Sequence, residues 1–200
     1  MRLFVLICGA GLMLAQNVPD ALLGRWRTVA VTKGGIGAMY EFKTGGVVLV
    51  RPGAIVTGTY KIEGNEMVLP PLMEGGPPNR QTINLATPGR LILFQGKEVS
   101  MNLSRVGKQP PGKPTVIGEW VGLREMDGQK LEMRIFFSAG GKSLFLLPFQ
   151  TQQAKYQIDK GRMTLLLPDG KAAEGPFTLG GGALTIPSVR SGKSTKLTRY

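Results

Sequence analysis

Along most of this chain hydrophobic and polar residues alternate with a period of two, in short runs bounded by glycine- and proline-containing dipeptides. That pattern predicts half-buried β-strands, and no window within either half carries apolar residues at i, i+3, i+4 and i+7, so no helix is expected there. The first half reads as eight strands: Gly24 to Val31, Met39 to Lys43, Val47 to Val50, Gly58 to Glu63, Glu66 to Leu69, Gln81 to Leu85, Arg90 to Phe94 and Val99 to Val106. Gly34-Gly35, Gly45-Gly46, Pro52-Gly53, Gly64-Asn65, Pro88-Gly89 and Gly96-Lys97 separate them as turns. The second half reads as Gly118 to Glu125, Lys130 to Phe137, Ser143 to Leu147, Ala154 to Asp159, Arg162 to Leu167, Ala173 to Leu179, Ala183 to Ile186 and Ser194 to Arg199. Two-residue glycine-containing connections match the twist of a hairpin, so neighbouring strands are expected to pair in chain order.

The two halves repeat one another. Gly24-Arg25-Trp26 is answered by Gly118-Glu119-Trp120, Phe42 by Phe137, Tyr60-Lys61-Ile62 by Tyr156-Gln157-Ile158, and Leu103-Ser104-Arg105 by Leu197-Thr198-Arg199, at offsets between 94 and 96. Residues 108–114 between them contain three prolines and no apolar periodicity, which reads as a stiff linker. An eight-stranded meander curls, and closing it removes both exposed edges. The expected fold is therefore all-β, with two tandem eight-stranded antiparallel meander barrels at residues 17–107 and 115–200. A competing architecture merges the halves into one larger closed sheet.

A Gly-x-Trp on the first strand and a Leu-x-Arg on the last, twice over, resemble the lipocalin-like proteins, including small secreted bacterial versions. The resemblance implies that Gly24, Trp26 and Arg105, and likewise Gly118, Trp120 and Arg199, close one end of each barrel, with the guanidinium lying across the indole. These six residues are read as structural. Each unit is about half the size of a full lipocalin, and strands of about six residues make a barrel only ~15 Å high. Interiors packed with side chains are favoured over a deep pocket.

The N-terminus departs from the strand pattern. Met1 and Arg2 precede an uncharged apolar run from Leu3 to Leu14. Spanning a bilayer takes roughly 20 residues, so this run reads as the core of a signal peptide, assigned to residues 1–16, and the product as secreted or periplasmic with no membrane span. Cys8 lies inside that segment and is the chain's one cysteine, so disulfides and thiolate chemistry are not expected in the mature protein. The chain has no histidine, which removes Ser-His-Asp relays and His-ligated metals. No cofactor and no enzymatic activity are expected. Gly141-Lys142-Ser143 and Gly192-Lys193-Ser194 imitate the end of a phosphate-binding loop but lack its upstream glycine, and read as hairpin turns. Glu63 and Glu66 flank a turn and read as exposed charges rather than a hydrolytic pair.

Charge supplies the remaining functional signal. The chain carries 25 basic and 13 acidic residues; apart from Arg2 in the assigned signal peptide, the excess is spread as +4 over residues 20–107, +2 in the linker and +5 over residues 115–200. A diffuse positive field favours anionic envelope lipids or polymers. With 7% aromatic residues assigned mostly to the core, nucleic-acid binding is not expected. One loop, Pro70 to Pro78, places Leu72 and Met73 at a tip where a ligand or partner could use them, although folding back onto the barrel end is the commoner fate of such residues. Two functions remain open: an exported non-catalytic protein binding a small apolar ligand or envelope component at the barrel mouths, or an interaction module presenting basic surfaces to an anionic envelope partner.

Overall fold

The structure is a computed structural model that describes residues 19–71, 76–112, 114–126, 128–188 and 192–200. The expected signal peptide with Cys8, and the loop residues Leu72 and Met73, lie outside the described residues. The chain is all-β. In the first half the strands are β1 (Gly24–Thr28), β2 (Ile36–Lys43), β3 (Val47–Thr59), β4 (Lys61–Glu63), β5 (Glu66–Leu69), β6 (Asn79–Asn84), β7 (Arg90–Gln95) and β8 (Glu98–Arg105). In the second they are β9 (Gly118–Met126), β10 (Gln129–Phe137), β11 (Lys142–Pro148), β12 (Gln152–Asp159), β13 (Arg162–Leu166), β14 (Ala172–Pro176), β15 (Thr178–Gly180), β16 (Ala183–Pro187) and β17 (Ser194–Arg199). Two single 3-10 turns, Asp20–Leu22 and Thr44–Gly46, are the only helical elements among the described residues, and no helix is long and apolar enough to cross a membrane.

All seventeen strands belong to one antiparallel sheet, but its ladders do not close each half on itself. Two circuits of pairing share β3. One runs β1–β2–β3–β12–β13, continues through β14 and β15 to β16 and β17, and returns to β1. The other runs from the distal part of β3 and its continuation β4 through β5, β6, β7, β8, β9, β10 and β11 back to β3. Each is interrupted once in its ladder. Tyr60, between β3 and β4, donates its N–H to Gly141 O at 2.8 Å, and Phe177, between β14 and β15, donates to Gly161 O at 2.9 Å. The expected tandem arrangement, each barrel built from its own half, is thus corrected: the halves exchange strands. The merged alternative is met only in that every strand lies in one sheet.

The exchange has a local cause. Pro52-Gly53, read as a turn, sits inside the continuous strand β3. Residues 47–50 of that strand pair with β12, and residues 53–59 pair with β11. Both partners run antiparallel to β3, so β11 and β12 lie end to end along one of its edges. Gly53 is required for proximity rather than for turning, because a Cβ there would stand 2.3 Å from the Leu147 carbonyl oxygen. Pro52 falls where β12 has ended and β11 has not begun. The continuous strand β3 in the first half and the short connection 149–151 between β11 and β12 in the second therefore carry the chain from one circuit into the other.

Each circuit encloses a core drawn from both halves. The first contains Leu22, Trp26, Phe42 and Val48 with Tyr156, Met163, Leu184, Ile186 and Leu197; the second contains Tyr60, Met67, Leu91, Leu93 and Leu103 with Val116, Trp120, Met133, Ile135 and Phe137. Matching tyrosines lock the exchange. Tyr156 Oη donates to Lys43 O at 2.9 Å and meets the Phe42 ring edge-on at 5.2 Å, while Tyr60 Oη donates to Ser138 O at 2.7 Å and meets the Phe137 ring at 4.9 Å. A third cluster, Met39, Ile55 and Leu146 with Phe136 and Tyr200 against it, fills the space between the circuits.

Because every core needs both halves, residues 19–107 and 115–200 produced separately are expected to give no cooperatively unfolding monomer, whereas the two pieces refolded together give a 1:1 complex with one thermal transition. Circular dichroism melts and size-exclusion chromatography check this.

Candidate functional site

The repeated motifs build two matching clamps. Trp26 on β1 lies under the guanidinium of Arg199 on β17, 4.4 Å from ring centroid to Cζ, and Trp120 on β9 lies under Arg105 on β8 at 4.3 Å. The expected partners are thus exchanged: Trp26 stacks with Arg199 rather than Arg105, and Trp120 with Arg105 rather than Arg199. The strand register dictates this, since Trp26 faces Arg199 and Trp120 faces Arg105 as Cα partners. Each clamp also ties down the segment ahead of its first strand. Trp26 Nε1 donates to Leu22 O at 2.8 Å and Trp120 Nε1 to Val116 O at 2.6 Å. Arg199 donates to Leu23 O at 3.1 Å and to Ala21 O, and Arg105 donates to Ile117 O at 2.8 Å and to Thr115 O. Leu22 and Val116 are buried as a result.

The glycine of each motif follows from the same geometry. Gly24 and Gly118 have φ of 113° and 130°, and a Cβ on Gly118 would come 2.4 Å from Arg105 Nη1. Laying a guanidinium flat on an indole has a cost: Arg105 Nε is buried with no hydrogen-bond partner, and burial lowers the Arg105 pKa. All six motif residues therefore take part in the two indole–guanidinium clamps.

The other end of the first circuit is concave. A cavity of about 240 Å³ lies beyond Thr28, two residues along β1 from Trp26 and away from Gly24. Tyr40, Val50, Leu165 and Leu167 give it an apolar lining, and Thr28, Gln152 and Thr195 give it polar groups. Thr28 Oγ1 already accepts the Ala38 N–H at 3.1 Å, which fixes its rotamer. A Cβ on the neighbouring Gly37 would stand 2.4 Å from that oxygen, so the small residue keeps this wall of the mouth close-packed.

A larger cleft of about 470 Å³ lies outside both cores, where the circuits meet. Strand alternation places Arg25 on the outer face of β1, Met39, Glu41 and Lys43 on that of β2, and Lys130, Glu132 and Arg134 on that of β10. Glu119 Oε1 accepts from Arg25 and from Arg134, both at 2.6 Å, and Glu41 pairs with Arg51 at 2.9 Å. Arg25 and Glu119 are the middle residues of the two Gly-x-Trp motifs, so opposite charges face one another across the exchange. Burial pushes the Glu41 carboxyl up, but the hydrogen bond from Arg51 and the charges of Arg51, Lys43 and Arg25 outweigh it and hold the pKa below the usual value. Burial raises the Tyr200 hydroxyl against the opposing pull of Arg25, Arg51 and Arg134. The sequence reading missed this cleft, having treated its charges as solvated surface.

Elsewhere the chemistry is bland. Arg80 bridges Glu63 and Glu66 at 2.9 Å each on an exposed hairpin, and both Gly-Lys-Ser fragments occupy hairpin turns. Among the described residues no His, Cys, Asp and Glu side chains are grouped to hold a metal ion.

Two measurements check these interactions. In a double-mutant cycle by urea denaturation, Trp120→Leu with Arg105→Leu is expected to couple by about 0.5–2 kcal/mol, and Trp120→Leu with Arg199→Leu by about zero. Since the Glu41 pKa is lowered by folding, its stabilisation is present above the unfolded value of about 4.3 and is lost as pH falls through the folded pKa. The urea midpoints of the wild type and Glu41→Gln should therefore converge between about pH 5 and pH 3. Comparison of the chain with known protein families, characterised proteins and solved structures gives no match.

Proposed function

We propose that this is an exported, non-catalytic, lipocalin-like binding protein that takes a small apolar ligand at the open mouth of its first strand circuit. In this reading the circuits are two short barrels interlocked by strand exchange, and residues 1–16 are the signal peptide that exports them. The observation that carries it is the cavity of about 240 Å³ beyond Thr28, with apolar walls and a few fixed polar groups at its rim. Such a lining is what a small-molecule site needs, apolar surface for affinity and sparse polar groups for orientation. Its volume lies below the ~300–1,000 Å³ usual for drug-sized ligands, so the occupant is a small molecule rather than a long lipid. Packing explains the limit. Trp26, Phe42 and Tyr156 are almost fully buried and fill the interior at the closed end, which leaves only the mouth.

Titration with 1-naphthylamine, followed by its fluorescence, tests this reading. Saturable 1:1 binding is expected, weakened about tenfold or more by Thr195→Trp, which fills the mouth from a partly exposed position. Absence of binding up to the probe's solubility, or binding unaffected by Thr195→Trp, contradicts the assignment.

A further inference from the structure

The cleft between the circuits has more positive charge than its own carboxylates answer. Arg25, Lys43, Arg51, Lys130 and Arg134 line it, against Glu41 and Glu132. Glu119 adds a third carboxylate, yet a single oxygen of Glu119 serves two guanidinium groups. Glu41 is likewise shared, with Arg51 at 2.9 Å and Lys43 at 3.9 Å. Lys130 makes no ion pair among the described residues. Arg134 is answered by Glu132 at 2.8 Å and by Glu119 at 2.6 Å, so the excess charge rests on Lys130 and on Arg25, Lys43 and Arg51, which share their carboxylates, in a recess where field lines concentrate.

Its floor has the opposite character. Leu146, Phe149 and Tyr200 line the same cavity. Phe149 is 40% exposed, in the short connection between β11 and β12, and the Tyr200 ring packs edge-on against Phe136 at 5.6 Å. An apolar surface beside unanswered cations fits a molecule with both features.

We propose that this cleft binds a small amphipathic anion, a single carboxylate or phosphate group on an apolar body. The head lies between Arg51 and Lys130, where a guanidinium that shares Glu41 with Lys43 and an ammonium without an ion pair among the described residues suit a two- or three-oxygen anion. The body covers Leu146, Phe149 and Tyr200. Arg51 comes from the first half and Lys130 from the second, so the site exists only because the halves exchange strands. It is separate from the mouth cavity and does not depend on a ligand binding there.

The test uses the full mature chain, with binding followed by calorimetry and by the backbone amide shifts of Lys130 and Phe149. Decanoate and decyl phosphate are expected to bind 1:1 and more weakly as salt rises, with inorganic phosphate and 1-decanol moving these amides only at about tenfold higher concentration or more. Lys130→Glu, at an exposed position without an ion pair, is expected to weaken decanoate binding about tenfold, and Phe149→Ser comparably, while Thr195→Trp leaves it unchanged. Four results overturn the proposal: 1-decanol shifting the two amides as effectively as decanoate, Lys130→Glu without effect, decanoate binding abolished by Thr195→Trp, or binding seen only with phosphatidylglycerol vesicles and not with the free anions. Failure of naphthylamine binding at the mouth would leave all of these readouts intact.

Discussion

The fold depends on β3 continuing without a break through Pro52 and Gly53, with β11 and β12 laid end to end beside it. Had the chain reversed there, each half would have paired its own first and last strands. Instead β1, β2 and the proximal part of β3 complete a circuit with β12 to β17, and β9, β10 and β11 complete the other with β4 to β8. Every signature interaction then spans the two halves: both indole–guanidinium clamps, both tyrosine hydrogen bonds and the Arg25–Glu119 bridge. A chain of two similar halves faces a choice between closing each half and exchanging them. Opposite charges at the matched positions Arg25 and Glu119 meet in the exchanged arrangement, at 2.6 Å.

Much of this was legible in the sequence, and what was not has identifiable causes. Period-two alternation located nearly every strand, and β5 and β17 have the expected limits. Trp26, Trp120, Arg105 and Arg199 were legible as clamp residues because their types and order suit a cation laid on an indole. Their partners were not, since two copies of one motif are interchangeable until the connection is known. Pro-Gly misled for a physical reason. It is strong turn chemistry, but here the glycine is needed because β11 approaches within 2.3 Å of where its Cβ would be. A signal for the shared strands did exist: Val47 to Val50 and Leu144 to Leu147 are apolar on both faces, as strands covered on both sides must be.

The cleft was hidden for a related reason. Alternation tells which side chains leave a core, not whether a second core stands opposite. Glu41, Arg51, Lys130 and Arg134 have the spacing of solvated outer positions, and only the meeting of the circuits turns them into walls. The cavity beyond Thr28 follows more directly, because Trp26, Phe42 and Tyr156 fill the first core beside Gly24 and the space lies on the other side of it. Both concavities are consequences of topology acting on ordinary side chains.

Strand exchange is tested most directly by disulfide formation in a chain whose one native cysteine is removed by Cys8→Ser. Arg27 faces Thr198 as a Cα partner across β1 and β17, and the residue matching Thr198 in the first half is Ser104. Neighbouring antiparallel partners lie about 4.5–5.5 Å apart, within disulfide reach. Arg27→Cys combined with Thr198→Cys should oxidise to an intramolecular disulfide, and Arg27→Cys combined with Ser104→Cys should stay reduced. The reverse outcome, with residues 27 and 104 cross-linked and 27 and 198 free, would show that each half closes on itself.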